Sequence, residues 1–251
     1  MCGRFTREFT WEEVHDFLDL VFPGDCRAGD EAVTTLDPSW NVAPTQSVLV
    51  VRGRRPGDGG DGDGGDDPSD AAPLDAVVDL ADWGFTPRWM REKDRRGPIN
   101  ARCETAASSP MFRSAFARGR CLVPMTSFYE WRAPEGGGRK QPWRFHRADG
   151  TILLVAGLRT PPSDEAPPTL AILTTDAGPD VAGIHDRMPV VLEPDAAVRW
   201  CDRGTDEDAA ADLLRPAPEG VLDRHRVSTR VNRPTTNEPS LGEPVDEAPA
   251  G

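Results

Sequence analysis

The second residue of the chain is a cysteine, in the run Met1-Cys2-Gly3-Arg4-Phe5, and removal of Met1 would put a thiol and a free α-amine on one residue. An α-amine has a pKa of about 7.7–8.0, so part of it is uncharged and nucleophilic near neutral pH, where a lysine at about 10.4 is not. Such an amine condenses with an aldehyde. The neighbouring thiol can then close on the imine carbon to give a five-membered thiazolidine, helped because both groups are already held together. A small residue at a frayed terminus is the bland alternative, so the rest of the chain has to decide.

Three further polar residues have the types such chemistry needs. Asn100, in Pro98-Ile99-Asn100-Ala101-Arg102-Cys103-Glu104-Thr105, offers donors and an acceptor without a charge to desolvate, although an Asn after Gly97-Pro98 also suits a turn cap. Arg102 shares its face if the segment is extended, and either a phosphate or an acid such as Glu104 is a natural partner. Glu130 stands between Tyr129 and Trp131, where partial burial would raise its pKa toward the range useful for proton transfer; a surface Glu paired with an Arg has the same pattern. His185, in Gly183-Ile184-His185-Asp186-Arg187-Met188-Pro189, titrates near neutrality, and a structural His tied to Asp186 is its alternative.

Together with Trp40-Asn41-Val42-Ala43-Pro44, Trp83-Gly84-Phe85 and Phe128-Tyr129-Glu130-Trp131, these stretches occur in the order seen in the SRAP family. The chain resembles these SOS-response-associated peptidases, viewed as abasic-site-processing proteins, from Cys2 to about Asn232. The resemblance implies recognition of abasic sites in single-stranded DNA and a covalent thiazolidine crosslink through Cys2, with a Schiff-base intermediate that also permits lyase-type strand cleavage. It assigns Asn100 to orienting the amine or sugar, Glu130 to sugar opening and proton movement, and His185 to acid or base work. It places Arg4, Asn41, Trp83, Arg102, Trp131, Thr174 and Arg187 on the DNA-binding surface. Relatives commonly carry Ala-Asp-Gly where this chain has Met125-Thr126-Ser127, and often a basic residue where it has Pro110. Two other classes stay open: a cysteine peptidase using Cys2 with His185, including self-removal of Met1, and a non-covalent single-strand binder that would tolerate loss of Cys2.

The elements that must hold these residues read as one α+β domain over residues 1–234, with a curled, barrel-like mixed β core flanked by short helices. Thr10-Trp11-Glu12-Glu13 is a capping box that opens a helix to about Val21. Strand-like Ser47–Val51 and Ala76–Leu80 flank a low-complexity stretch, 57–73, whose Gly and Asp cannot build a core and which reads as a disordered insertion at a hairpin tip. Arg120–Met125, Leu170–Thr174, Pro189–Leu192 and Leu222–Val227 read as strands. Asp149-Gly150 signals a hairpin between strands at 143–146 and 151–156. Pro194–Cys201 and Asp206–Leu214 read as helices, and 235–251 as an acidic, disordered tail.

Charge sharpens the partner. The net charge of −13 is carried by Pro56–Asp82 and the residues from Thr235, so the remainder is formally neutral. Within it, Gly84–Arg120 has nine basic residues against three acids, interleaved with Trp89, Phe112 and Phe116, as expected where a nucleic-acid backbone is tracked and bases stack. The five cysteines are widely spaced and lack paired zinc spacing, so neither a disulfide framework, a metal nor another cofactor is expected. Without an apolar run of about 20 residues or a leader pattern, the expectation is a cytoplasmic protein, monomeric and away from membranes. The acid-rich, lysine-poor composition suits a salty cytoplasm, and a genome rich in G and C would give the same bias.

Overall fold

The computed structural model describes residues 2–55, 73–91, 97–134, 136–161 and 166–245. In chain order its strands are β1 (Phe5–Arg7), β2 (Cys26–Ala28), β3 (Ser39–Val42), β4 (Ser47–Arg54), β5 (Asp75–Trp83), β6 (Asn100–Arg102), β7 (Arg120–Met125), β8 (Ser127–Arg132), β9 (Gln141–Arg147), β10 (Leu153–Arg159), β11 (Thr169–Asp176), β12 (Arg187–Pro189), β13 (Val191–Leu192) and β14 (Leu222–Arg226). The α-helices are α1 (Trp11–Val21), α2 (Glu31–Thr34), α3 (Arg88–Arg91), α4 (Cys103–Ala106), α5 (Arg113–Arg118), α6 (Pro194–Cys201) and α7 (Glu207–Ala211).

The larger sheet closes on itself. β10, β7, β4 and β5 pair antiparallel in succession, β5 pairs parallel with β11, and β11 returns antiparallel to β10, which gives the curled core the form of a ring. Strand alternation explains how a ring of such apolar segments is stable. Leu49 and Val51 of β4, Leu122 of β7, and Leu154 and Ala156 of β10 join one cluster with Val14 and Leu18 of α1 and Trp200 of α6. The opposite parity, Val48, Val50, Val123, Met125 and Val155, joins a second cluster with Phe5, Phe128 and Phe145. Those three aromatics belong to the smaller sheet, ordered β14-β9-β8-β1-β3, which stacks Phe128 on Phe145 at 5.0 Å.

Local chemistry sets the ends of the helices. α1 begins at the expected capping box, with Thr10 Oγ1 accepting from the Glu13 amide and Glu13 Oε2 accepting from the Thr10 amide. α6 spans Pro194–Cys201 as the sequence suggests, with proline in its first turn where no amide is needed. α7 is shorter than expected, starting after an Asp206 cap and stopping at Ala211, ahead of Pro216 and Pro218. None of the helices among the described residues is long and apolar enough to cross a membrane.

Two expectations are corrected. Asp149-Gly150 forms a turn, with Gly150 at φ +76°, but β9 and β10 do not pair. Both edges of β9 are taken by β8 and β14, while β10 lies between β7 and β11, so the turn carries the chain from one sheet to the other. The stretch from 235 to 245 is not a loose tail. Asn237 Oδ1 accepts from the Trp40 amide at 2.7 Å, Leu241 is buried beside Tyr129, and the Gly242 carbonyl accepts from Arg144. Residues 246–251, the insertion 57–73 except Pro73, and the basic residues Lys93, Arg95 and Arg96 lie outside the described residues. The β4–β5 hairpin that bears the insertion runs in continuous register from Ser47↔Asp82 to Arg54↔Asp75.

Candidate active site and nucleic-acid interface

β1 brings Cys2 and Glu130 together. Phe5 pairs with Phe128 and Thr6 with Ser127, and the Tyr129 amide donates to the Arg4 carbonyl at 2.9 Å. Extending that register sets Glu130 opposite Gly3, next to Cys2. The unusual Thr126-Ser127 corner supports this pairing: the Thr126 amide donates to the Thr6 carbonyl, the Thr126 hydroxyl accepts from the Glu8 amide, and the Ser127 and Thr6 hydroxyls meet at 2.7 Å.

Asn100 arrives from a second direction. β6 lies parallel to β11, and the Ile99 carbonyl just before it accepts from both the Ile172 amide and Trp83 Nε1. This fixed backbone aims Asn100 Nδ2 at the Cys2 carbonyl, 2.8 Å away. That carbonyl can only accept, so the amide orientation is determined, and Asn100 Oδ1 is buried without a hydrogen-bond donor among the described residues.

His185 comes from the loop before β12. The Val181 carbonyl accepts from the His185 amide, and Gly183 takes the left-handed φ of +83° that the turn needs. The imidazole Nε2 lies 3.7 Å from Glu130 Oε2. Its Nδ1 accepts from the Arg187 amide at 2.9 Å and is also 2.9 Å from Asp186 Oδ1.

Burial governs the electrostatics. Cys2 is wholly inaccessible, and burial, then the nearby Glu130 charge, push its thiol far above the usual cysteine range. Glu130, 2% exposed, is raised to about 7, above all by its burial. His185 is lowered, first by burial, with Asp186 pulling the other way. A buried carboxylic acid that exchanges its proton near neutrality, a neutral thiol and an imidazole thus share one small site, suited to proton transfer during addition to a carbonyl.

The residues expected on the DNA surface divide. Arg102 is exposed on β6 and makes no side-chain hydrogen bond or ion pair among the described residues, as a phosphate ligand would. Trp131 is half-buried, with its Nε1 donating to Asn232 Oδ1 at 2.7 Å. Arg4 donates to Asn41 Oδ1 and to the Val231 carbonyl, and Asn41 donates in turn to the Arg233 and Thr236 carbonyls. Arg187 forms a fork with Glu104 at 2.6 and 2.9 Å, a third ionic contact with Asp176, and a bond to the Thr174 carbonyl. Trp83 has no exposed surface and packs at 5.2 Å on Phe5, so in this arrangement it cannot stack on a base; it is a support for Ile99 and, through it, for Asn100. Thr174 and Asn41 are also buried and act from beneath the surface.

Sequence reasoning passed over Arg144. It donates to Ser127 Oγ, Glu8 Oε1 and the Gly242 carbonyl, so it joins β1, β8 and the C-terminal segment. Nothing in an alternating strand marks such a residue. Among the described residues, His15, Asp19 and Cys26 bring possible metal-binding atoms within 4.8 Å of one another. Asp19 Oδ1 already accepts from the Cys26 amide, and this trio lies on α1 and β2, away from the Cys2 site.

Residues 1–234 match the family described as SOS response associated peptidase (SRAP). The chain is 31% identical over 246 residues to the abasic site processing protein YoqW of Bacillus subtilis, covering 96% of this chain and 98% of that one. It is 31% identical over 250 residues to the abasic site processing protein YedK of Escherichia coli, covering 98% and 100%. A crystal structure of a Bacteroides thetaiotaomicron protein has the same fold, with a TM-score of 0.75 at 20% identity over 97% of this chain and all of that one. The chain belongs to the SRAP family.

Proposed function

We propose that the protein processes abasic sites in single-stranded DNA and links itself covalently to them through Cys2 once Met1 is removed. The observation that carries this reading is the treatment of Asn100: one end of its amide holds the Cys2 carbonyl, and the other is a buried acceptor with no donor, beside a buried Glu130 raised to about 7. A buried acceptor left open costs about 1–3 kcal/mol. A sugar hydroxyl or the attacking amine supplies the missing donor.

The α-amine of Cys2 adds to the ring-opened aldehyde, and the carbinolamine loses its hydroxyl as water, with the proton delivered by Glu130 or His185. The resulting Schiff base has two fates. Loss of a proton from the adjacent sugar carbon expels the 3′-phosphate and cleaves the strand. Addition of the thiol to the imine carbon, its proton passing to nitrogen, closes the thiazolidine and preserves the strand. The raised thiol pKa favours this order over a peptidase mechanism, because a peptidase needs a thiolate partnered by an imidazole, and the acid–base group acting on Cys2 here is a carboxylate. Arg102 and Trp131 supply a phosphate contact and a stacking face.

Mature protein incubated with an abasic single-stranded oligonucleotide should give a protein–DNA band that survives denaturing electrophoresis. Equal adduct from Cys2→Ala, or from undamaged DNA, would overturn the reading.

A further inference from the structure

A second cluster of reactive side chains lies outside the Cys2 site. α1 carries His15 and Asp19 four residues apart on one face, and β2, after a short turn, returns Cys26 to the same place. One ligand atom from each, a His15 ring nitrogen, an Asp19 carboxylate oxygen and Cys26 Sγ, lies within 4.8 Å of the other two. The Cys26 amide donates to Asp19 Oδ1 at 2.9 Å, which fixes the carboxylate and leaves Oδ2 3.5 Å from His15 Nδ1. That separation is long for a hydrogen bond and close to one edge of a tetrahedron, because nitrogen and oxygen ligands held about 2.0–2.1 Å from a zinc ion lie about 3.3–3.4 Å apart.

The surroundings point to a cation independently. Among the described residues the Cys26 thiol makes no hydrogen bond, although the thiols of Cys103 and Cys201 each donate to a carbonyl. Burial, then the Asp19 charge, push the Cys26 thiol up to about 12, and among the described residues no lysine or arginine pairs with Asp19 to offset that meeting of a carboxylate with a buried sulfur. We propose that His15, Asp19 and Cys26 form a three-ligand site for a divalent cation of the zinc class, with water in the fourth position. A nitrogen, oxygen and sulfur set suits zinc, whereas magnesium and calcium take oxygen. The His15 and Asp19 side chains, 32% and 44% exposed, open the way in, and buried Cys26 forms the floor. On binding, the Cys26 sulfur gives its proton to solvent and bonds the cation, His15 binds through Nδ1, and Asp19 binds through Oδ2 while Oδ1 keeps the Cys26 amide. Trp11, edge-on to the imidazole at 5.4 Å, supports the ring. The cation ties α1 to β2, the edge strand that pairs with β5.

The test uses the full chain carrying Cys2→Ala, so that a terminal aminothiol cannot chelate, with Co²⁺ as a coloured stand-in for Zn²⁺. Titration should give one Co²⁺ per chain, a sulfur-to-cobalt charge-transfer band and the visible bands of a tetrahedral ion, and Zn²⁺ should displace it. Cys26→Ala should abolish the sulfur band. His15→Gln and Asp19→Asn, at partly exposed positions of α1 where the fold is not at stake, should weaken binding about 10²-fold or more. Saturating Zn²⁺ should raise the melting temperature of the Cys2→Ala parent but not of His15→Gln in the same background. Absence of the band in the parent, its survival in Cys26→Ala, or undiminished affinity in His15→Gln would overturn the proposal. Because Cys2 is missing from every arm, the result does not depend on whether the protein crosslinks DNA.

Discussion

Asn41, on β3, spends both ends of its amide inside the protein, while Asn100, on β6, spends only one. Asn41 accepts from Arg4 and donates to backbone carbonyls of 233 and 236, closing the C-terminal segment over the smaller sheet. Asn100 holds Cys2 and keeps a buried oxygen without a donor. The same side chain is a latch in one place and a socket in the other. The surroundings follow suit: the latch is completed by Arg4, which donates both to Asn41 Oδ1 and to the Val231 carbonyl, whereas the socket lies in the site of a buried carboxyl displaced to about 7. Saturated polar clusters stabilise the fold, and a cluster with an open acceptor and a displaced carboxyl gives up stability for a partner that arrives with the substrate.

The largest expected effect is on the socket side. Glu130→Gln should slow adduct formation by about 10²-fold or more, the usual contribution of a positioned acid or base. The same variant separates cost from function. Glu130 has a folded value near 7, above its ordinary 4.5, so the folded state holds the proton more tightly; the associated stability is complete below about pH 4.5 and is lost as pH rises through about 7. Melting curves should therefore show Glu130→Gln gaining on the parent protein between about pH 5 and about pH 8. A constant difference across that range would break the comparison.

Asn100→Ala should slow the reaction by about 10²-fold, because it frees the Cys2 carbonyl and misplaces the amine, while leaving the melting temperature almost unchanged. Asn41→Ala should do the reverse: a loss of about 1–3 kcal/mol, seen as several degrees in the melting temperature, with the adduct rate of the folded protein nearly intact. Exchange of these two outcomes would show that latch and socket have been assigned the wrong way round. The smallest effect is expected for Arg187→Lys, which keeps the charge but loses the fork; because Glu104 and Asp176 are largely solvated, about 1 kcal/mol is at stake in a denaturant titration.

Much of this contrast was legible in the sequence, but not evenly. Cys2, Asn100, Glu130 and His185 stand in motifs whose chemistry is coherent, and the structure sets Asn100 of β6 on the Cys2 carbonyl and His185, from the loop before β12, 3.7 Å from Glu130 of β8. The helix ends at Thr10 and Pro194 were readable because capping is local. What depends on three dimensions was not. Trp83, which the resemblance places on the DNA surface, is core, because β5 is covered on both faces and alternation cannot mark an exposed side. Arg187 is placed on the DNA surface by the resemblance, and its ion pairs could not be read because its acids lie 83 and 11 residues away. The turn at Asp149-Gly150 was visible, but not which sheet its second strand would join. The order of residues 235–245 arises from Trp40, Tyr129 and Arg144, none of which a Pro- and Glu-rich segment announces.

The most direct measurement is mass spectrometry of the adduct after proteolysis. The account predicts that the sugar remnant sits on a peptide that begins at Cys2, joined through both its nitrogen and its sulfur, with Met1 absent. A remnant on a peptide that retains Met1, or on any residue other than Cys2, would contradict it.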